Sequence, residues 1–124
     1  LVDLLPSLGD LAGLPLPSDL EGSSWARLLV DPAHPWKKGA FTTCVRGPTT
    51  SGRSVRVDGW RYTEWYMESA ISRAISRELY DLAADPWEQR NLAADPVDPA
   101  LTPRLDELSA LLAAGWKAAL PPAP

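Results

Sequence analysis

The chain has 124 residues, 45% hydrophobic and 23% charged, which is enough for one domain with a modest core. Its net charge of −4 and pI of about 4.9, with no basic stripe, set aside a nucleic-acid partner. The single cysteine, Cys44, excludes an internal disulfide framework and a cysteine-based zinc site. No apolar run is long enough to span a membrane, and the residues given hold no basic-then-apolar signal segment.

Leu1 opens directly inside an apolar pattern, where natural N-termini are usually polar. The expectation is a chain cut from a longer protein, with a processed propeptide junction as the alternative. Apolar residues at 1, 4, 5, 8, 11 and 12 have helical spacing, so Leu1–Ala12 is expected to be a helix. Asp3 can cap it, Pro6 is tolerable only in its first turn, and Gly13 stops it. Leu14-Pro15-Leu16-Pro17 is then extended. Gly22–Leu29 reads as a short helix capped by Ser23 or Ser24. Asp31–Lys38, with Pro32 and Pro35, is a loop; His34 within it, the one histidine, reads as solvated.

Ala40–Val45 has strand composition, and Gly47–Gly52 reads as a flexible connection. Arg53–Tyr66 reads as a tight hairpin, because Asp58-Gly59 is the preferred pair for a type I′ turn. A two-residue loop pairs Val57 with Trp60, Arg56 with Arg61, Val55 with Tyr62 and Arg53 with Glu64. Val55, Val57, Trp60 and Tyr62 then share a core face that ends in an Arg53–Glu64 pair. The other face sets Arg56 opposite Arg61, and like charges facing across a ladder want an anion, a carboxylate or open water.

Met67–Ser76 is ambiguous between a helical turn and an excursion. Glu78–Leu82 reads as a fourth strand, and Ala83–Glu88 as a turn. Thr102 is an N-cap with Pro103 at the first helical position and Asp106 and Glu107 near the first turn. Leu101, Leu105, Leu108, Leu112, Trp116 and Ala119 recur at helical steps, giving an amphipathic helix over 101–120 that Pro121-Pro122 stops. The expected fold is therefore α+β: a small antiparallel sheet of about four strands with the C-terminal amphipathic helix packed on one face. One subdomain spans 1–120, with a leading helix and Pro-rich connection over 1–38, the sheet over 40–82 and the helix over 101–120; 121–124 is a tail.

Taken alone, the chain shows no phosphate loop, no His pair at metal spacing and no Ser/His/Asp set. Asp81, Asp85, Glu88, Asp95, Asp98, Asp106 and Glu107 sit mostly where a turn or helix start explains them. Cys44, mid-strand, reads as a buried small hydrophobe rather than a nucleophile. The arginine pair is the site held open: either a solvated or salt-bridged sheet face, or a contact with an anionic group at a cleft or domain boundary.

Three stretches together resemble type I sulfatases, members of the alkaline-phosphatase superfamily. Val2–Leu8 followed by Leu11–Pro17 looks like the helix and exit that follow their catalytic core. Ser54–Thr63 looks like their C-terminal hairpin. Glu78-Leu79-Tyr80-Asp81-Leu82, Asp85-Pro86, Glu88 and Asn91-Leu92 match the motif that closes that subdomain. Arg61-Tyr62-Thr63-Glu64-Trp65 is nearest to the iduronate-2-sulfatase-like branch. The resemblance implies a non-catalytic C-terminal subdomain, a four-stranded antiparallel sheet with a packed helix. Its partner would be the N-terminal catalytic domain of the same protein, a sulfate ester hydrolase using formylglycine and calcium.

Formylglycine is made from a Cys/Ser-x-Pro-x-Arg motif, and Cys44-Val45-Arg46-Gly47-Pro48 is not that motif. No catalytic, cofactor or metal residue is carried over. Arg46 and the Gly47–Gly52 loop are candidates for lining the mouth of the substrate pocket, and Arg56 and Arg61 for interdomain contacts. Two other readings stand beside this one: the same subdomain of a phosphodiesterase or phosphonate hydrolase, and a stand-alone interaction module. The leucines at 1, 4, 5, 8 and 11 are too many for a free helix, so the isolated fragment is expected to self-associate.

Overall fold

The computed structural model describes residues 2–121, which divide into two compact units between Pro35 and Trp36. In the first unit, helix α1 spans Leu4–Leu11, shorter than the expected Leu1–Ala12; Leu1 lies outside the described residues. Asp3 precedes it but leaves its first turn uncapped; its Oδ1 accepts from the Ser23 amide at 2.7 Å. Gly13, at φ 64°, ends the helix. The Leu14 amide donates to the Gly9 carbonyl and the Gly13 amide to the Asp10 carbonyl, the pair of bonds that closes a helix through a left-handed residue.

The chain then returns along the side of α1 that carries Pro6, Ser7 and Gly9, all buried. Ser7 Oγ donates to the Asp3 carbonyl at 2.6 Å and accepts from the Trp25 amide at 3.0 Å. The helix expected over Gly22–Leu29 is a single 3-10 turn, Ala26–Leu29, where Ser24 Oγ accepts from the Ala26 amide at 3.2 Å.

The second unit is built on an antiparallel meander, β1 (Ala40–Arg46), β2 (Thr50–Val57), β3 (Trp60–Met67) and β4 (Ser76–Asp81), in that spatial order. Helix α2 spans Thr102–Ala114. The fold is α+β, as expected. The β2–β3 register is the one derived from a two-residue loop: Val57 opposite Trp60, Arg56 opposite Arg61, Val55 opposite Tyr62 and Arg53 opposite Glu64. Asp58 and Gly59 have φ values of 49° and 78°, as a type I′ turn requires.

Several boundaries differ from expectation, each for a local reason. The connection expected over Gly47–Gly52 is a turn over 47–49 only, and Thr50–Gly52 begin β2. Gly52 is there for contact rather than flexibility. A Cβ at this position would lie 2.8 Å from the Trp65 ring and 2.9 Å from Cys44 Sγ. β4 starts two residues earlier than expected, after a 3-10 turn at Glu68–Ala70. α2 starts at Thr102 itself, with Leu101 in the capping position, and stops at Gly115, whose φ is 78°. Trp116, expected in the core stripe, falls in the following 3-10 turn, Trp116–Ala119, and is exposed.

One face of the sheet carries Val55, Tyr62 and Leu79, all fully buried against Leu105, Leu108 and Leu112 of α2. Beyond β4 the chain uses Asn91 to finish the sheet. Asn91 Oδ1 accepts from the Leu79 and Ala93 amides at 3.0 and 2.9 Å, and its Nδ2 donates to the Arg77 carbonyl at 3.0 Å. The Leu92 amide donates to the Leu79 carbonyl at 2.8 Å. The outer edge of β4 is thus covered by one side chain and one backbone bond.

Candidate functional site: the open face of the sheet

Side chains alternate across a strand, so fixing the core face fixes the other. Opposite α2 the sheet presents Thr42, Cys44 and Arg46 from β1, Ser54 and Arg56 from β2, and Arg61, Thr63 and Trp65 from β3. Glu78 of β4 joins them, opposite Thr63. These residues line a shallow cavity of about 550 Å³. All three candidate arginines, Arg46, Arg56 and Arg61, therefore lie on one concave face.

Their environments differ. Arg61 binds Glu88 through Nη2 at 2.5 Å, and its guanidinium lies 5.1 Å from the centre of the Tyr80 ring. Glu88 reaches it from the turn after β4, at a backbone φ of 54°. This carboxylate is what lets Arg56 and Arg61 face one another across the ladder. Arg56 is exposed and makes no ion pair among the described residues. Arg46, at the end of β1, lies 4.5 Å from the centre of the Trp65 ring. Trp65 in turn donates its indole N–H to Glu78 Oε1 at 2.9 Å. Thr63 Oγ1 donates to Ser54 Oγ at 3.0 Å, and Ser54 Oγ to the Tyr62 carbonyl at 3.1 Å.

Both carboxylates of this face are thus engaged, Glu78 by the indole and Glu88 by Arg61. Arg46 and Arg56 remain as its available positive charges. The face can hold oxyanions; a nucleophile with an adjacent base is not assembled on it. Cys44, expected to be buried, is exposed here, because residues at even positions of β1 point away from α2. Among the described residues no group of three or more His, Cys, Asp or Glu side chains is placed to hold a metal ion. His34 lies in the first unit, its Nδ1 3.8 Å from Asp31.

The expected Arg53–Glu64 pair is not formed. Glu64, only 7% exposed on the core face, instead accepts hydrogen bonds from Tyr62 at 2.7 Å, from Ser109 of α2 at 2.8 Å and from Tyr66. Burial opposes its ionisation, but the three hydroxyls and the nearby Arg77 guanidinium outweigh burial and hold its pKa below the ordinary value. Tyr62 and Tyr66 are pushed up, first by burial and then by the same carboxylate. Arg53 lies 5.0 Å from the Tyr66 ring instead.

Trp65, Thr63 and Glu78 were within reach of sequence reasoning, because two-residue alternation from Arg61 places 63 and 65 beside it. Glu88 was not. It reaches Arg61 from a turn that no local pattern ties to the hairpin.

The sheet has one helix-covered face and an outer edge tied by Asn91, and similarity to known proteins gives the class: the C-terminal subdomain of a sulfatase. The chain belongs to the family of N-sulphoglucosamine sulphohydrolase C-terminal regions, whose description matches residues 1–113. It is 38% identical over 99 residues to a Delta 4,5-hexuronate-2-O-sulfatase of Bacteroides thetaiotaomicron, covering 77% of this chain and 19% of that protein. It is 33% identical over 117 residues to human arylsulfatase K, covering 86% and 20% respectively. The solved structure of BT4656 in complex with its substrate, D-glucosamine-2-N,6-O-disulfate, superposes with a TM-score of 0.73 at 26% identity, over 93% of this chain and 23% of that one. The chain thus spans about a fifth of the length of the curated relatives it matches.

Proposed function

We propose that this chain is the non-catalytic C-terminal part of a sulfuric ester hydrolase acting on sulfated sugars. In this reading it completes the fold of a catalytic part that precedes it, and Arg46 with the 47–49 turn borders the mouth of the substrate pocket. Arg46 carries the reading: an exposed guanidinium on an aromatic platform, at a strand end beside a turn, with no ion pair to a carboxylate among the described residues. Such a group suits a sulfate or carboxylate oxyanion. The sugar class is supported by the names of the bacterial relative and of the substrate in the neighbouring structure. In this reading formylglycine and calcium belong to the preceding part; the residues around Cys44 depart from the motif that formylglycine requires.

The test is Arg46→Ala in the polypeptide that includes the catalytic part. Assays would use a 2-O-sulfated hexuronate and an N- and 6-O-sulfated glucosamine. The expected result is a fall of about tenfold or more in kcat/KM, carried mainly by KM, as for loss of one charge-assisted contact. Unchanged kcat/KM on both substrates removes Arg46 from the pocket. Absence of sulfate release by the parent polypeptide removes the sulfatase reading itself.

A further inference from the structure

Arg53, Glu64 and Arg77 stand in one row of the sheet, directly opposite one another across β2, β3 and β4. They belong to the face that α2 covers, so the sheet itself separates them from Arg46, Arg56 and Arg61. Both guanidinium groups are therefore cross-strand neighbours of one buried carboxylate. Such a row ordinarily closes into salt bridges, and this one does not. Glu64 is taken up by hydroxyls: Oε1 accepts from Tyr62 and Ser109, and Oε2 from Tyr66. Arg53 and Arg77 are exposed, and neither makes an ion pair among the described residues. Arg53 rests 5.0 Å from the centre of the Tyr66 ring, a contact that uses none of its five N–H donors. Arg77 acts on Glu64 through its charge, and its strand is pinned where its carbonyl accepts from Asn91 Nδ2 at 3.0 Å.

We propose that Arg53 and Arg77 form a second oxyanion site, which holds a sulfate or carboxylate group of an anionic sugar chain on the sheet face opposite Arg46. Charge and spacing carry the oxyanion. Two guanidinium groups stand against one carboxylate, whose own charge is shared among three hydroxyl donors, so the row keeps an excess of positive charge. The two arginine backbones flank β3 at roughly 10 Å from one another, twice the spacing of neighbouring strands, which two long side chains can span. A group with several acceptor oxygens suits two such forks. The donors sit on paired strands rather than loops, so their backbones are fixed before any ligand arrives. That the oxyanion is carried on a sugar chain rests on the functional reading above; a free inorganic oxyanion is the rival.

The test is calorimetric titration of the polypeptide that includes the catalytic part, using an N- and 6-O-sulfated tetrasaccharide and, separately, sodium sulfate at equal ionic strength. Arg53→Gln with Arg77→Gln is compared with Arg73→Gln and Arg90→Gln, exposed arginines outside the row whose loss changes the net charge equally. The expected result is a fall of about tenfold or more in tetrasaccharide affinity for the Arg53 and Arg77 pair, and less than about twofold for the reference pair. Each single variant should lose about threefold, and Arg53→Lys with Arg77→Lys should fall between the wild type and the glutamine pair, which keeps the comparison open if that pair does not fold. Unchanged affinity in the single and double variants overturns the proposal, and so does an equal loss in the two pairs. Inorganic sulfate binding as tightly as the tetrasaccharide gives the site to a free ion and overturns the sugar assignment. Sulfate release, measured separately, distinguishes failure of the functional reading: arginine-dependent binding by a polypeptide that releases no sulfate removes that reading and keeps the site.

Discussion

Ser109 of α2 donates to Glu64 of β3 at 2.8 Å, across a chain separation of 45 residues. The bond ties the covering helix to the sheet through a carboxylate that also receives Tyr62 and Tyr66. Glu64→Ala removes the acceptor of a fully buried tyrosine hydroxyl and should destabilise the chain by about 2–3 kcal/mol. Ser109→Ala loses one bond and should cost about 1 kcal/mol. Urea midpoints at neutral pH read both, and equal, negligible shifts would show that the cluster contributes nothing to stability.

The same cluster fixes the sign of the pH dependence. Glu64 has a folded pKa below its ordinary value of 4.5. Its contribution is therefore complete above that value and is lost as pH falls from it towards the folded pKa. Tyr62 and Tyr66 have folded values above 10.0, so theirs is complete below 10.0 and is lost as pH rises beyond it. Unfolding free energy should fall on both sides of neutrality. Glu64→Gln should flatten the acid limb, and native tyrosine absorbance should titrate above pH 10.0.

Gly52→Ala should be among the most damaging single-methyl changes. The added carbon would meet the Trp65 ring at 2.8 Å and Cys44 Sγ at 2.9 Å. Displacing a half-pinned indole should cost about 1–3 kcal/mol. Trp65 would lose its bond to Glu78 as it moves, so changed tryptophan fluorescence should accompany the lowered midpoint.

Glu88 and Arg56 should be coupled through Arg61. Glu88→Ala leaves two guanidinium groups facing one another and should cost about 0.5–1 kcal/mol, the partial exposure of the Arg61–Glu88 pair keeping the value small. Adding Arg56→Ala should recover most of that loss. A double-mutant cycle at low and high salt checks it, with the coupling shrinking as salt rises.

The hairpin was legible because its information is local: two turn residues with positive φ, and alternation on both sides, determine every pair from Thr50 to Met67. The stop of α2 was misplaced because Gly115 sits among residues that continue the apolar spacing, and the left-handed glycine overrides the periodicity. Glu64 was assigned to Arg53 because only cross-strand neighbours can be read from a register. Its real partners include Ser109, which a separate helix brings in. The arginine face followed from alternation, whereas its neutralising Glu88 depended on a turn conformation that sequence spacing does not encode.

Asn91 uncouples the length of one loop from the geometry of the sheet. Its amide re-enters the ladder at Leu79 and Arg77, so the chain between Asp81 and Asn91 is anchored at both ends to β4. Insertions or deletions within that loop can be absorbed locally so long as the amide returns to the same rung. The loop that supplies Glu88 to the open face can therefore diverge, and the charge of that face with it, while the hydrophobic layer beneath stays unchanged.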